Sequence, residues 1–93
     1  MFLYKIVNIH TNRVFVGLSK KSPHNTLQDK YDLIEREEGL PPFERDLLNF
    51  GLHAFNVIPV CELRNEAKAK KKANRYIQAE SFPYNIFYYE VFQ

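Results

Sequence analysis

The sequence predicts an α+β domain: a small antiparallel β-sheet with about three helices packed on it, in the order ββααβα plus a C-terminal strand. Three observations carry this. The first eighteen residues hold two β-branched and aromatic runs around a turn. The middle and later parts hold apolar residues at helical spacing, punctuated by Pro, Gly and Asn. The 93 residues, 45% of them hydrophobic and 15% aromatic, suffice for one modest core and one domain over residues 1–93.

Leu3-Tyr4-Lys5-Ile6-Val7-Asn8-Ile9 and Arg13-Val14-Phe15-Val16-Gly17-Leu18 read as paired strands. The turn falls at Thr11-Asn12, where Asn tolerates a left-handed backbone. A loop from Lys20 carries Pro23. Helix one is expected to start at Asn25 or Thr26, either of which caps, with Leu27, Tyr31 and Ile34 on its apolar side and Gly39 as its stop. Pro42 suits the first turn of helix two, whose apolar side is Phe43, Leu47, Leu48 and Phe50, and Gly51 ends it. Phe55-Asn56-Val57-Ile58-Pro59-Val60-Cys61 reads as a third strand. Pro59 lacks an amide hydrogen, which assigns that stretch to an edge or a bulge. Asn65 caps helix three, Glu66 to about Gln78, with Ala69, Ala73, Tyr76 and Ile77 as its apolar stripe. Pro83-Tyr84-Asn85 turns the chain, and Ile86 to Phe92 reads as a terminal strand.

Composition narrows the function classes. The single cysteine, Cys61, cannot form an internal disulfide, so the fold holds by packing. It reads as a small strand residue, with no spacing that marks a nucleophile or zinc site. No apolar run approaches the roughly 20 residues that span a bilayer, and the first residues lack the pattern of a secretory leader. A cytoplasmic location is expected, the host cytoplasm if the chain is viral.

The net charge of +2 is small, but its distribution is not uniform. Lys5, Arg13, Lys20 and Lys21 precede any acid; seven acids crowd 29–46; and Arg64, Lys68, Lys70, Lys71, Lys72 and Arg75 face only Glu66 in 64–75. Lys68, Lys71, Lys72 and Arg75, at offsets of three, four and seven, share one side of helix three. With Lys20 and Lys21 they make a candidate nucleic-acid-binding face. A solvated lysine-rich helix face explains the same run, and charge pattern alone leaves both readings open.

The hairpin also carries a resemblance. Phe2-Leu3-Tyr4, ten residues, then Phe15-Val16-Gly17 resembles the paired motifs of the GIY-YIG nuclease family. The segment from Leu48 through Gly51 to Val57 is similar to the family's helix-Gly-turn-strand, and Arg75-Tyr76-Ile77 and Tyr84-Asn85-Ile86 to its last helix and closing Tyr-Asn. The resemblance implies a nuclease fold that cuts phosphodiesters with a divalent metal, usually magnesium. It assigns catalytic positions to Tyr4 and Asn85, which are retained. At the other family positions stand Phe15 for the second tyrosine, Thr26 for the arginine and Ala73 for the glutamate. Arginine gives planar bidentate phosphate contact that threonine lacks, and alanine binds no metal.

The expectation is therefore a catalytically degenerate member with no cofactor. It acts by binding nucleic acid or a protein partner, as a phage accessory protein or anti-defence inhibitor. Two alternatives stay open. One is an active, magnesium-dependent endonuclease with migrated groups, Lys30 for the arginine and Glu66 for the glutamate, with His24 as a displaced phosphate contact. The other is a dimerisation module pairing through the C-terminal strand, with Phe87, Tyr89 and Val91 facing the partner.

Overall fold

The first strand alternates across a sheet that is covered on both sides. In the computed structural model, which describes residues 1–21, 23–34 and 40–85 (of 24–26 and 33 the backbone alone), β1 spans Phe2–Asn8 and β2 Val14–Ser19. Tyr4 and Ile6 point to one face of β1, Leu3 to the other, and all are fully buried. The connecting turn puts Asn12 at φ 61°, as expected of that residue. The third strand, β3 (Phe55–Glu62), also pairs antiparallel with β1, so the sheet order is β2-β1-β3. Pro59 sits in an edge strand beside a register shift: Tyr4 pairs with Pro59 and Leu3 with Cys61, leaving Val60 as the extra residue. Edge and bulge, offered as alternatives by the sequence, are both present.

Helix α1 covers Pro23–Leu33, α2 Pro42–Phe50 and α3 Glu66–Ala79; a single 3-10 turn, Leu52–Ala54, precedes β3. On the Tyr4 face, Ile6 and Phe15 pack with Leu27 of α1, Phe43 and Leu47 of α2, and with Phe55 and Tyr84. On the opposite face, Leu3, Val14, Val16 and Leu18 pack with Ala69, Ala73 and Ile77 of α3. The small alanines bring α3 close to the sheet. Asn65 caps α3 as expected, accepting the Lys68 amide at 3.0 Å.

Four sequence expectations are corrected. Helix one begins at Pro23 rather than Asn25 or Thr26, because proline's fixed φ and missing N–H suit a first turn. Ile34 lies just past the end of α1, half-buried against the core rather than on the helix. Phe50 does not join the apolar side of α2. Only Phe43 and Leu47, one turn apart, are buried there; Phe50 is 43% exposed and stacks on His10 with centroids 5.4 Å apart. Finally, residues 82–85 do more than turn. The Val14 amide donates to the Phe82 carbonyl and the Tyr84 amide to the Val14 carbonyl, which places Pro83 in a parallel bridge with Val14. This segment covers the outer edge of β2. The Gly39 stop and the terminal strand from Ile86 to Phe92 lie outside the described residues.

Candidate functional site

Tyr4 sits directly opposite Gly17 across the β1–β2 ladder. Its ring passes over the glycine so closely that a Cβ built there would stand 2.5 Å from the Tyr4 hydroxyl and 2.6 Å from Cζ. Tyr4 is fully buried, and its neighbour Phe15 stacks on Phe43 at 4.3 Å between centroids, with the planes 16° apart. A base that activates water must touch water; here the phenol belongs to a packed aromatic layer beneath α1 and α2.

The other positions implied by the resemblance are spread over both faces of the sheet and its β2 edge. Ala73 is buried on the opposite face of the sheet, among Leu3 and Val16. Asn85 is buried at the β2 edge, where its carboxamide donates to the Val16 carbonyl (2.9 Å) and accepts from the Val16 amide (3.3 Å). Lys30 is joined to Glu44 at 2.7 Å, linking α1 to α2, with both side chains largely buried. Glu66 is at the exposed start of α3, 3.5 Å from Lys70. The side chains of His24 and Thr26, and the whole of Phe87, Tyr89 and Val91, lie outside the described residues. Among the described residues, no group of three or more His, Cys, Asp or Glu side chains is placed to hold a metal ion. Nor is any helix there long and apolar enough to cross a membrane.

The basic residues do come together. Burial of Ala69, Ala73 and Ile77 leaves Lys68, Lys71 and Arg75 exposed and Lys72 half-buried along the outer side of α3. None of these four is in an ion pair among the described residues, whereas Lys70 is. The row from Lys68 to Arg75 is about 10 Å long at 1.5 Å per residue. Sheet topology adds Lys20 and Lys21. Phe2 pairs with Ser19 on one side and Glu62 on the other, so the end of β2 and the start of α3 lie at the same end of the sheet. Lys20 is exposed there, and Lys21 is only loosely engaged by Asp29 at 4.0 Å.

Sequence reasoning missed a polar cluster at the other end of the sheet. Asn8 is fully buried; its amide donates to the Tyr84 hydroxyl (3.0 Å), which donates to Asp46 (2.8 Å). The Arg13 guanidinium lies over the Tyr84 ring at 4.3 Å. Asn8, directly after the β-branched pair Ile6-Val7 of β1, was the available signal. Burial pushes the Tyr84 phenol above its ordinary pKa of 10.0; the Asn8 hydrogen bond opposes the rise and Asp46 adds to it.

The folded state therefore holds the Tyr84 proton more tightly than the unfolded state. The associated stability is present below pH 10 and is lost as pH rises through and beyond it. Tyr84→Phe should cost about 1–2 kcal/mol at neutral pH, by leaving Asn8 and Asp46 without their shared partner. It should also flatten the alkaline decline. Urea denaturation of both proteins from pH 8 upward checks this, and an unchanged alkaline slope in the variant would contradict it.

Comparison with protein-family models, with curated proteins and with solved structures returned no match.

Proposed function

We propose that the chain is a binding protein on a degenerate GIY-YIG-like scaffold, holding nucleic acid on the outer face of α3 without cutting it. The observation that carries this reading is the row Lys68, Lys71, Lys72 and Arg75: four cations on one helix side, outside any ion pair among the described residues. Phosphate backbones are the common ligand for such a row, because each neutralised phosphate releases a counterion. Support for the scaffold comes from the element order ββααβα and from Tyr4 lying opposite Gly17.

Absence of cleavage rests on chemistry. Phe15, Thr26 and Ala73 stand where hydroxyl, guanidinium and carboxylate are needed, and each such loss costs on the order of 10²–10³ in rate. The migrated-site alternative needs Lys30 and Tyr4 available. Lys30 is engaged by Glu44, and Tyr4 is fully buried. A role as a phage accessory or inhibitor uses the same face to mask nucleic acid from other proteins.

The test is charge reversal. The double variant Lys71→Glu, Lys72→Glu should weaken nucleic-acid binding for all sequences alike, since phosphates carry no base information. It should also make the dependence of log K on log salt shallower by about 1.4–1.8, for two phosphates fewer. The melting temperature should stay close to that of the parent, because Lys71 is exposed and Lys72 only half-buried. Unchanged binding in a folded double variant would remove α3 as the interface.

A further inference from the structure

Helix α3 covers only part of its side of the sheet. Val16, Lys5 and Ile58 form one row across β2, β1 and β3, with their side chains on the α3 face. Val16 is fully buried under α3, yet Ile58 is 45% exposed. In the next row Val14 is buried and Asn56, on β3, is exposed. The helix therefore packs over β2, and β3 projects beyond it as a shelf with an apolar floor of Ile58 and half-buried Val60.

The wall of this shelf is the α3 flank that faces β1. Tyr76 marks that flank, because the Lys5 ammonium lies 5.0 Å from its ring centroid. Lys72 and Lys68 precede Tyr76 by one and two helical turns on the same side, and Arg75 adjoins them. Lys5 itself is neutralised by Glu80 at 2.6 Å, so the positive charge is on the wall and the floor is uncharged.

We propose that this shelf takes single-stranded nucleic acid, with the phosphates along Lys68, Lys72 and Arg75 and unpaired bases laid on Ile58. The inference rests on the α3 face being the nucleic-acid surface, and adds which form of nucleic acid it selects. Charge complementarity identifies the phosphates; the uncharged floor identifies the bases. A duplex keeps its base faces stacked inside and offers an apolar floor nothing to cover, whereas a single strand presents them.

The experiment is fluorescence anisotropy with labelled oligothymidylate, alone and annealed to oligoadenylate, over a salt series from low to physiological concentration. Three proteins are compared: the parent, Ile58→Thr, and the Lys71→Glu, Lys72→Glu double variant. Threonine keeps the β-branched shape that suits a strand, so folding should be preserved, and circular dichroism checks it. The parent should bind the single strand on the order of tenfold more tightly than the duplex. Ile58→Thr, which exchanges the ethyl arm for a hydroxyl, should weaken single-strand binding on the order of tenfold, as for two carbon groups no longer buried, with duplex binding and salt slope unchanged. The lysine variant should instead weaken both forms and flatten both slopes. Equal or tighter duplex binding, or no effect of Ile58→Thr on the single strand, would overturn the shelf while leaving the basic face intact. Absence of binding to either form would overturn both.

Discussion

Gly17→Ala should destabilise the fold by about 3 kcal/mol, at the upper end of the usual cost of overpacking a core. The new methyl carbon would stand 2.5 Å from the Tyr4 hydroxyl, 2.6 Å from its Cζ and 2.9 Å from a Phe15 ring carbon. Neither ring can yield easily. Tyr4 and Phe15 are both fully buried, and Phe15 is stacked on Phe43. Shortening the facing side chain should relieve the clash. Tyr4→Leu is itself destabilising, but combined with Gly17→Ala the loss should fall short of the sum of the two by about 1 kcal/mol or more. Urea denaturation of the two single variants and the double variant measures the coupling. Strict additivity would contradict the Tyr4–Gly17 packing.

The second large effect is at Asn85. Its carboxamide serves both the amide and the carbonyl of Val16 and so stands in for a neighbouring strand, two residues along β2 from the backbone bonds that Phe82 and Tyr84 make with Val14. Asn85→Leu leaves two buried backbone groups unserved and should cost about 2–6 kcal/mol, at roughly 1–3 kcal/mol for each lost partner. Asn85→Asp tests direction as well as size. At neutral pH the carboxylate retains an acceptor for the Val16 amide but turns a second acceptor toward the Val16 carbonyl. When protonated it can donate again. The stability gap between Asp and Asn should therefore narrow as pH falls toward the carboxylate range, near 4. Urea midpoints at pH 7 and at acid pH decide it; a gap that is constant or widens in acid would contradict the clip.

These two residues show what the sequence makes legible. The hairpin was readable because alternation and Asn12 are local signals, and α3 because Asn65 and the Ala69, Ala73, Ile77 spacing lie within one segment. The row of basic residues followed from the same periodicity. What escaped depends on pairings distant along the chain. Asn85 meets Val16, and Tyr84 meets Asn8 and Asp46, across separations of 69, 76 and 38 residues that no periodicity encodes. The resemblance gives Tyr4 a catalytic position from its place in a motif. Its burial depends on α1 and α2 closing over that face of the sheet, which is tertiary information. Phe50 looked like core by composition, but the short α2 buries only one row of residues.

Binding without cleavage has two halves, and one titration addresses both. A labelled oligonucleotide is titrated with the parent protein at low and at physiological salt in the presence of magnesium, and the recovered nucleic acid is then run on a denaturing gel. The logarithm of the binding constant is expected to fall with log salt at a slope of about −3 if the four α3 cations neutralise about four phosphates of a single strand, and the nucleic acid to be recovered intact. No binding at low salt would contradict the first half; metal-dependent cleavage that disappears in Tyr4→Phe and Glu66→Ala variants would contradict the second.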